Sequence, residues 1–214
     1  MKSSPRAYVS PQRSRQAQDT RGRILAAATG LFVSPGYAAT PVGTVAQRAG
    51  VSAQTVYNTC GTKQELLKAA YDVALAGDDE PVPLAQRPEV RRIYALDDPR
   101  DLLHGYAALG RGVLDRVGPL MLQIAAGAAA GDPDLVQHQQ RTDEERLVGT
   151  LFVARRVAEL GALAAGLTLE RARDRIWTLN SAGVWHLLTA GRGWSGEDYE
   201  QWVGDQMCAA VLDG

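Results

Sequence analysis

Apolar positions along this chain recur at helical spacing almost throughout. Ile24, Ala27, Ala28, Leu31 and Phe32 form the first such stripe. Pro35-Gly36 stops it, since proline lacks the N–H that the helical ladder needs. Thr40 offers an N-cap, with Pro41 at the first helical position. Val42, Val45, Ala46 and Ala49 make a short stripe that Gly50 ends in the left-handed conformation. Ser52 predicts the cap of a second short helix over roughly 52–59, and Gly61 breaks it. Thr62 and Glu65 stand three residues apart as a capping box. Leu66, Leu67, Ala70, Tyr71 and Ala74 then carry a helix to about Ala76.

A polar Pro/Gly/Asp break runs from Gly77 to Pro83. Beyond it the pattern predicts helices near 84–95, 99–117, 119–130, 133–160, 168–190 and 196–212. Breaks are read at Asp97-Asp98-Pro99, Gly118-Pro119, Gly131-Asp132-Pro133, Gly161 to Gly166 and Gly191 to Ser195. No repeat and no extended strand alternation is visible, so the expected fold class is all-α. Residues 1–17 have no apolar periodicity and hold Pro5 and Pro11, which reads as a disordered basic arm. Residues 18–76 read as a first domain and 77–214 as a second.

Charge sharpens this division. The 214 residues sum to a net charge of −1, yet residues 1–76 carry +6 and the remainder −7. A basic head on an acidic body fits a head that meets a polyanion. Chance, together with a basic tail, is the plain alternative, since four of the nine basic residues in that part lie in residues 1–15. No apolar run approaches the roughly 18 residues of a membrane span, and the basic N-terminal stretch lacks the apolar core of a secretory signal. Cys60 and Cys208 make neither a disulfide framework nor a zinc site, which fits a soluble, cytoplasmic setting.

The informative stretch is 40–60. Two short helices joined by Ala49-Gly50-Val51-Ser52 define a helix-turn-helix. The second helix of such a unit can enter a DNA major groove with its N-terminal residues against base edges. Small or polar side chains are needed there. Ser52, Ala53, Gln54, Thr55, Tyr57 and Asn58 supply them.

On these residues the chain resembles the DNA-binding domain of TetR-type transcriptional regulators. The stretches that carry the resemblance are TRGRILAAATGLF, GYAATPVGTVAQRAGVSAQTVY and GTKQELLKAAY, between Thr20 and Ala74. They cover about a quarter of the chain. The resemblance implies an N-terminal three-helix DNA-binding unit followed by a divergent helical domain for effector binding and dimerisation. It implies an aromatic ring where this chain has Cys60, a departure that removes packing volume against the first helix. It also makes Tyr57 and Lys63 contacts to the DNA backbone. From their chemistry, Gln54 can pair with adenine and Ala53 can touch a thymine methyl, while Asn58 suits a base or a phosphate. Thr40 and Thr44 sit where a helix N-terminus favours phosphate. Arg48 is as readily a solvated charge as a contact.

One head reads only a few base pairs, so a homodimer on a palindromic DNA operator is expected. The last two helices are the expected interface, through Ile176, Leu179, Val184, Leu187 and Leu188 and through Tyr199, Trp202, Val203, Met207 and Val211. The alternative is that these stripes are intramolecular core. A largely apolar small-molecule effector is expected in the body, with Leu102, Leu103, Tyr106, Met121, Gln123, Ile124, His138, Arg141, Phe152 and Trp177 as candidate lining. A ligand-relieved repressor with no cofactor, metal or catalytic residue is expected.

Two other classes share some of these features. Asp97, Asp98 and Asp101 superficially match an aspartate-rich Mg²⁺ motif of helical enzymes, but Asp98-Pro99 reads as a helix start and no second acidic motif faces it. An effector-independent architectural DNA-binding protein would have the same head.

Overall fold

The computed structural model describes residues 11–213, without the side chains of residues 11, 13 and 14. Ten α-helices follow one another among these residues, and a lone bridge between Leu163 and Leu212 is the extended pairing recorded there. Two compact units are present, one ending at Tyr71 and the other beginning at Asp72.

The first unit starts with α1, Pro11–Leu31. Residues 11–17 are therefore helical, where the sequence reading placed the end of a basic arm; residues 1–10 of that arm lie outside the described residues. Gln12 and the run from Arg15 to Asp19 are exposed, so the turns they build carry no apolar periodicity to detect. A short π-type turn, Phe32–Gly36, follows. Then come α2 (Val42–Ala49), α3 (Ala53–Cys60) and α4 (Lys63–Ala76). The boundary expected after Ala76 is the end of α4, whereas compactness divides the chain inside that helix. The core of this unit is Ile24, Leu25, Ala28 and Phe32 of α1 and its π turn, with Val45, Val56, Leu66, Leu67 and Ala70.

In the second unit, a 3-10 turn at Leu84–Gln86 precedes α5, Pro88–Tyr94. α6 runs unbroken from Pro99 to Ala129 and α7 from Pro133 to Glu159. α8 (Leu169–Leu179), α9 (Ala182–Arg192) and α10 (Gly196–Val211) complete it. α6 is central and packs on α7, α9 and α10, while α8 lies against α7 and α10. Asp98 and Asp132 cap α6 and α7, each accepting two backbone N–H bonds ahead of a proline at the first helical position.

Two expected element boundaries differ. Gly118-Pro119 does not break α6: both residues lie inside the helix, packed by neighbours on several sides. Gly118 instead makes room for Trp185, whose Cζ3 would lie 2.8 Å from a Cβ at that position. The expected helix 168–190 is two helices. It breaks at Asn180, after which Ser181 caps α9 by accepting from the Val184 N–H. Asn180 sits tightly on α6, since a Cβ at Gly110 would meet its Oδ1 at 2.3 Å.

The expected interface residues also divide. Ile176, Tyr199, Val203, Met207 and Val211 belong to the core of one protomer, fully buried with Leu102, Leu103 and Val153. Leu187 stays 66% exposed, and Val184, Leu188 and Trp202 are half-buried. A stripe of apolar residues is equally consistent with packing inside a chain or between chains, and here α6 and α8 claim the α10 stripe.

Candidate nucleic-acid interface

The geometry of the head follows from local chemistry at each joint. Gly50 caps α2 at φ 68°, a left-handed conformation that glycine adopts without strain. Ser52 Oγ accepts the Thr55 N–H at 3.0 Å and starts α3. The Glu65 carboxylate accepts the Thr62 N–H at 2.7 Å while Thr62 Oγ1 accepts the Glu65 N–H at 3.2 Å, the reciprocal pair that starts α4. These bonds, the Thr62 N–H first, hold the Glu65 carboxyl below its ordinary range. α1 packs on α2 and α3 and so holds both short helices from behind.

With that scaffold in place, α3 buries Val56 and Cys60 and leaves Ala53, Gln54, Tyr57 and Asn58 exposed, together with the capping Ser52. Half of the Tyr57 surface is open to solvent, so the ring is not a core ring. Gln54 Nε2 donates to Asn58 Oδ1 at 2.9 Å, one turn apart on the exposed face. Thr55 is half-buried, with its hydroxyl 2.8 Å from that of Ser52. On α2, Thr44 and Arg48 are exposed. Lys63 holds its ammonium 4.1 Å from the centroid of the Tyr37 ring, which is itself buried and tilted against Phe32.

Thr40 differs from its expected role. Pro41, not Thr40, is the residue at the α2 cap position. Thr40 is 1% exposed, and its hydroxyl lies 2.7 Å from the Gly36 carbonyl and 3.1 Å from the Leu31 carbonyl. It latches the turn after α1 and is turned away from any phosphate.

Two arginines that the sequence pattern did not single out join the helices of the head. Arg23 donates to the Ala49 carbonyl at 3.2 Å, at the C-terminus of α2. Arg21 donates to the Thr59 carbonyl at 3.4 Å and lies 3.8 Å from Cys60 Sγ. Cys60 is buried, and the long Arg21 side chain covers the flank where the resemblance places a ring. Both arginines act through carbonyls of helix ends 38 and 26 residues away, a partnership no local spacing announces.

In the second unit the candidate effector residues separate by exposure. Leu103, Ile124 and His138 are buried, and Tyr106, Met121 and Trp177 are half-buried. Gln123, Arg141 and Phe152 are exposed and line no interior space, because they fall on the outer faces of α6 and α7. The Tyr106 hydroxyl is 3.3 Å from Thr150 Oγ1. Beside these, Arg146 donates to the Trp177 and Asn180 carbonyls at 3.3 and 3.0 Å and stacks 4.7 Å from the Trp177 ring. Trp177 Nε1, Asn180 Oδ1 and the Tyr199 hydroxyl are buried there without hydrogen-bond partners. Burial pushes the Tyr199 phenol far up, and that of Tyr94 to about 12. An open groove of about 360 Å³ lies elsewhere, lined by Ala125, Ala128, Val136, Gln139 and Asp143.

The Asp97-Asp98-Asp101 cluster serves structure: Asp98 caps α6, and Asp97 accepts from Arg156 at 2.8 Å. Among the described residues no group of His, Cys, Asp or Glu is arranged to hold a metal ion, and no helix is long and apolar enough to cross a membrane.

Comparison with known proteins agrees with this geometry. Residues 24–70 match the family model for bacterial regulatory proteins of the tetR family. No curated protein gives a significant sequence match. Among solved structures, the triclosan complex of SmeT, the repressor of the Stenotrophomonas maltophilia multidrug efflux pump SmeDEF, superposes with a TM-score of 0.71 at 22% identity, over 92% of this chain and 93% of that one. NalD, the secondary repressor of the MexAB-OprM multidrug efflux pump in Pseudomonas aeruginosa, gives 0.67 at 19% identity, over 93% and 98%. A Saccharomonospora viridis protein in complex with choline gives 0.67 at 18% identity, over 92% and 99%. Residues 24–70 thus form a tetR-family helix-turn-helix head, and the chain as a whole has the helical fold of those structures.

Proposed function

We propose that the chain is a homodimeric transcriptional repressor that binds a palindromic operator and is released by a small-molecule effector. The observation that carries this reading is the outer face of α3: Ser52, Ala53, Gln54, Tyr57 and Asn58 exposed together on a helix whose other face is locked against α1. Gln54 reads a base, Ala53 meets a thymine methyl, and Asn58 supports Gln54 or reads beside it. Tyr57, Thr44 and Lys63 position the head on phosphates, with Ser52 and Thr55 at the tip of the recognition helix.

Two heads spaced about one helical turn, roughly 34–36 Å, bring the affinity that one cannot. Leu187, with Val184, Leu188 and Trp202, supports a dimer contact through α9 and α10. Leu103, Tyr106, Met121, Ile124, His138 and Trp177 remain as effector contacts. The partnerless Trp177 Nε1, Asn180 Oδ1 and Tyr199 hydroxyl support a ligand with both apolar and polar groups. That similar folds hold triclosan and choline supports small-molecule binding in general. A coupling of about 1–3 kcal/mol between effector and DNA suffices for regulation. The reading places the protein in the cytoplasm and assigns it no catalytic step.

Selection of bound fragments from a random duplex library tests it. Enrichment of an inverted repeat is expected; recovery of no preferred sequence overturns it.

A further inference from the structure

We propose that α7 pairs with α7 of a second copy of this chain, antiparallel across a twofold axis near Thr150. The inference rests on the homodimer reading and adds to it a contact apart from α9. It starts from the outer face of α7, where Arg141, Glu145, Val148, Phe152, Arg155 and Glu159 are all exposed. Their spacing alternates four and three residues, the heptad pattern of a helix seam. The opposite face of the same helix is spent inside the protomer, through Leu135, His138, Thr150, Val153, Ala154 and Val157.

At the middle of the seam, Val148 is 57% and Phe152 49% exposed, one turn apart. Two large apolar side chains held side by side on a rigid helix form a patch that gains free energy when covered. The ionic residues around them say what covers it. In an antiparallel pair centred near position 150, Val148 faces the partner's Phe152. Glu145 then faces the partner's Arg155, and Arg141 faces the partner's Glu159. Each match occurs twice by symmetry, so one seam carries an apolar centre and four opposite-charge pairs. A parallel pair in the same register sets Arg155 on the partner's Arg155 and Glu145 on the partner's Glu145, which repel. The charge order therefore selects both the occupant and its direction. Gly149 has open space beside it and flanks the seam next to the partner's Gly149 in this register, which lets the two helices approach. The intrahelical pair Arg141–Glu145, at 3.1 Å, is exposed and rearranges at little cost, and Glu159 is itself exposed where it lies 3.8 Å from Arg156.

The seam spans positions 141–159, about 27 Å of helix. The test is sedimentation equilibrium on the full chain at low salt, with the wild type, E145R, R155E, the double swap E145R/R155E, and L187E. Each single reversal makes the facing pair like-charged and is expected to weaken self-association at least about tenfold, less so at high salt. The double swap has the wild-type composition and is expected to restore it. An equimolar mixture of E145R and R155E is expected to associate where neither does alone, because every facing pair is then opposite in charge. A merely structural role for these residues would not produce that rescue. Reversals that associate like the wild type while L187E dissociates overturn the α7 seam and leave the homodimer standing. A wild type that is monomeric at every concentration overturns the homodimer reading itself, and the seam with it.

Discussion

The Gln54 side-chain amide donates to Asn58 Oδ1 at 2.9 Å, so the two amides on the exposed face of α3 form one unit. The proposed function uses the remaining Gln54 Oε1 and N–H at a base edge, with Asn58 fixing the direction in which they point. Gln54→Ala is expected to cost about 1–3 kcal/mol at one or two base pairs and little elsewhere. Asn58→Ala should relax discrimination at the same base pairs, and the double variant should lose less than the sum. Competition binding against operator variants measures this. Equal loss by Gln54→Ala on operator and random DNA refutes the assignment.

Lys63 is placed differently. Its ammonium rests over the buried Tyr37 ring, which limits its freedom and holds the charge at the start of α4. Lys63→Ala should weaken binding to all duplexes and lower the slope of log K against log salt by about one unit. Titrations across a salt series check it. An unchanged slope means that the lysine meets no phosphate.

Thr40 supplies the contrast between a residue that builds the head and one that reads DNA. Its hydroxyl is buried against the Gly36 and Leu31 carbonyls. Thr40→Val keeps the shape and removes the donor, so thermal or urea unfolding should show a loss of about 1–3 kcal/mol. Relative affinities among operator variants should stay as in the wild type. A change in base preference at wild-type stability would contradict the buried role.

The Asp78–Arg87 pair gives the stability of the fold an acid dependence. Arg87 donates to both carboxylate oxygens of Asp78, at 2.5 and 2.6 Å, and holds that carboxyl down to about 2; the Glu80 N–H assists. A folded-state value below the unfolded one means a stabilising contribution that is complete above roughly pH 4 and lost as pH falls towards about 2. Asp78→Asn should lower the thermal midpoint at neutral pH and flatten its fall across that window. A wild type and variant with parallel acid profiles would exclude the linkage.

Much of the head was legible because its joints are local. Gly50, Ser52, Gly61 and the Thr62–Glu65 box each act on backbone within a few residues, so spacing alone reveals them. Pro119 and Asn180 show the limit of that logic. A proline that ends an isolated helix lies within α6, a helix that packs on α7, α9 and α10. The break at Asn180 carries neither glycine nor proline; instead, Asn180 fits against Gly110 on another helix.

The residue order by itself determined the all-helical class, the helix-turn-helix and the side chains offered at its tip, because periodicity and capping are short-range properties. Only the tertiary structure decided which apolar stripes were spent inside one protomer. It buried Met207 and Val211 of α10, left Val148, Phe152 and Leu187 open, and turned Thr40 inward. A helix face is apolar whether it meets its own chain or another, and three-dimensional packing alone assigns the neighbour.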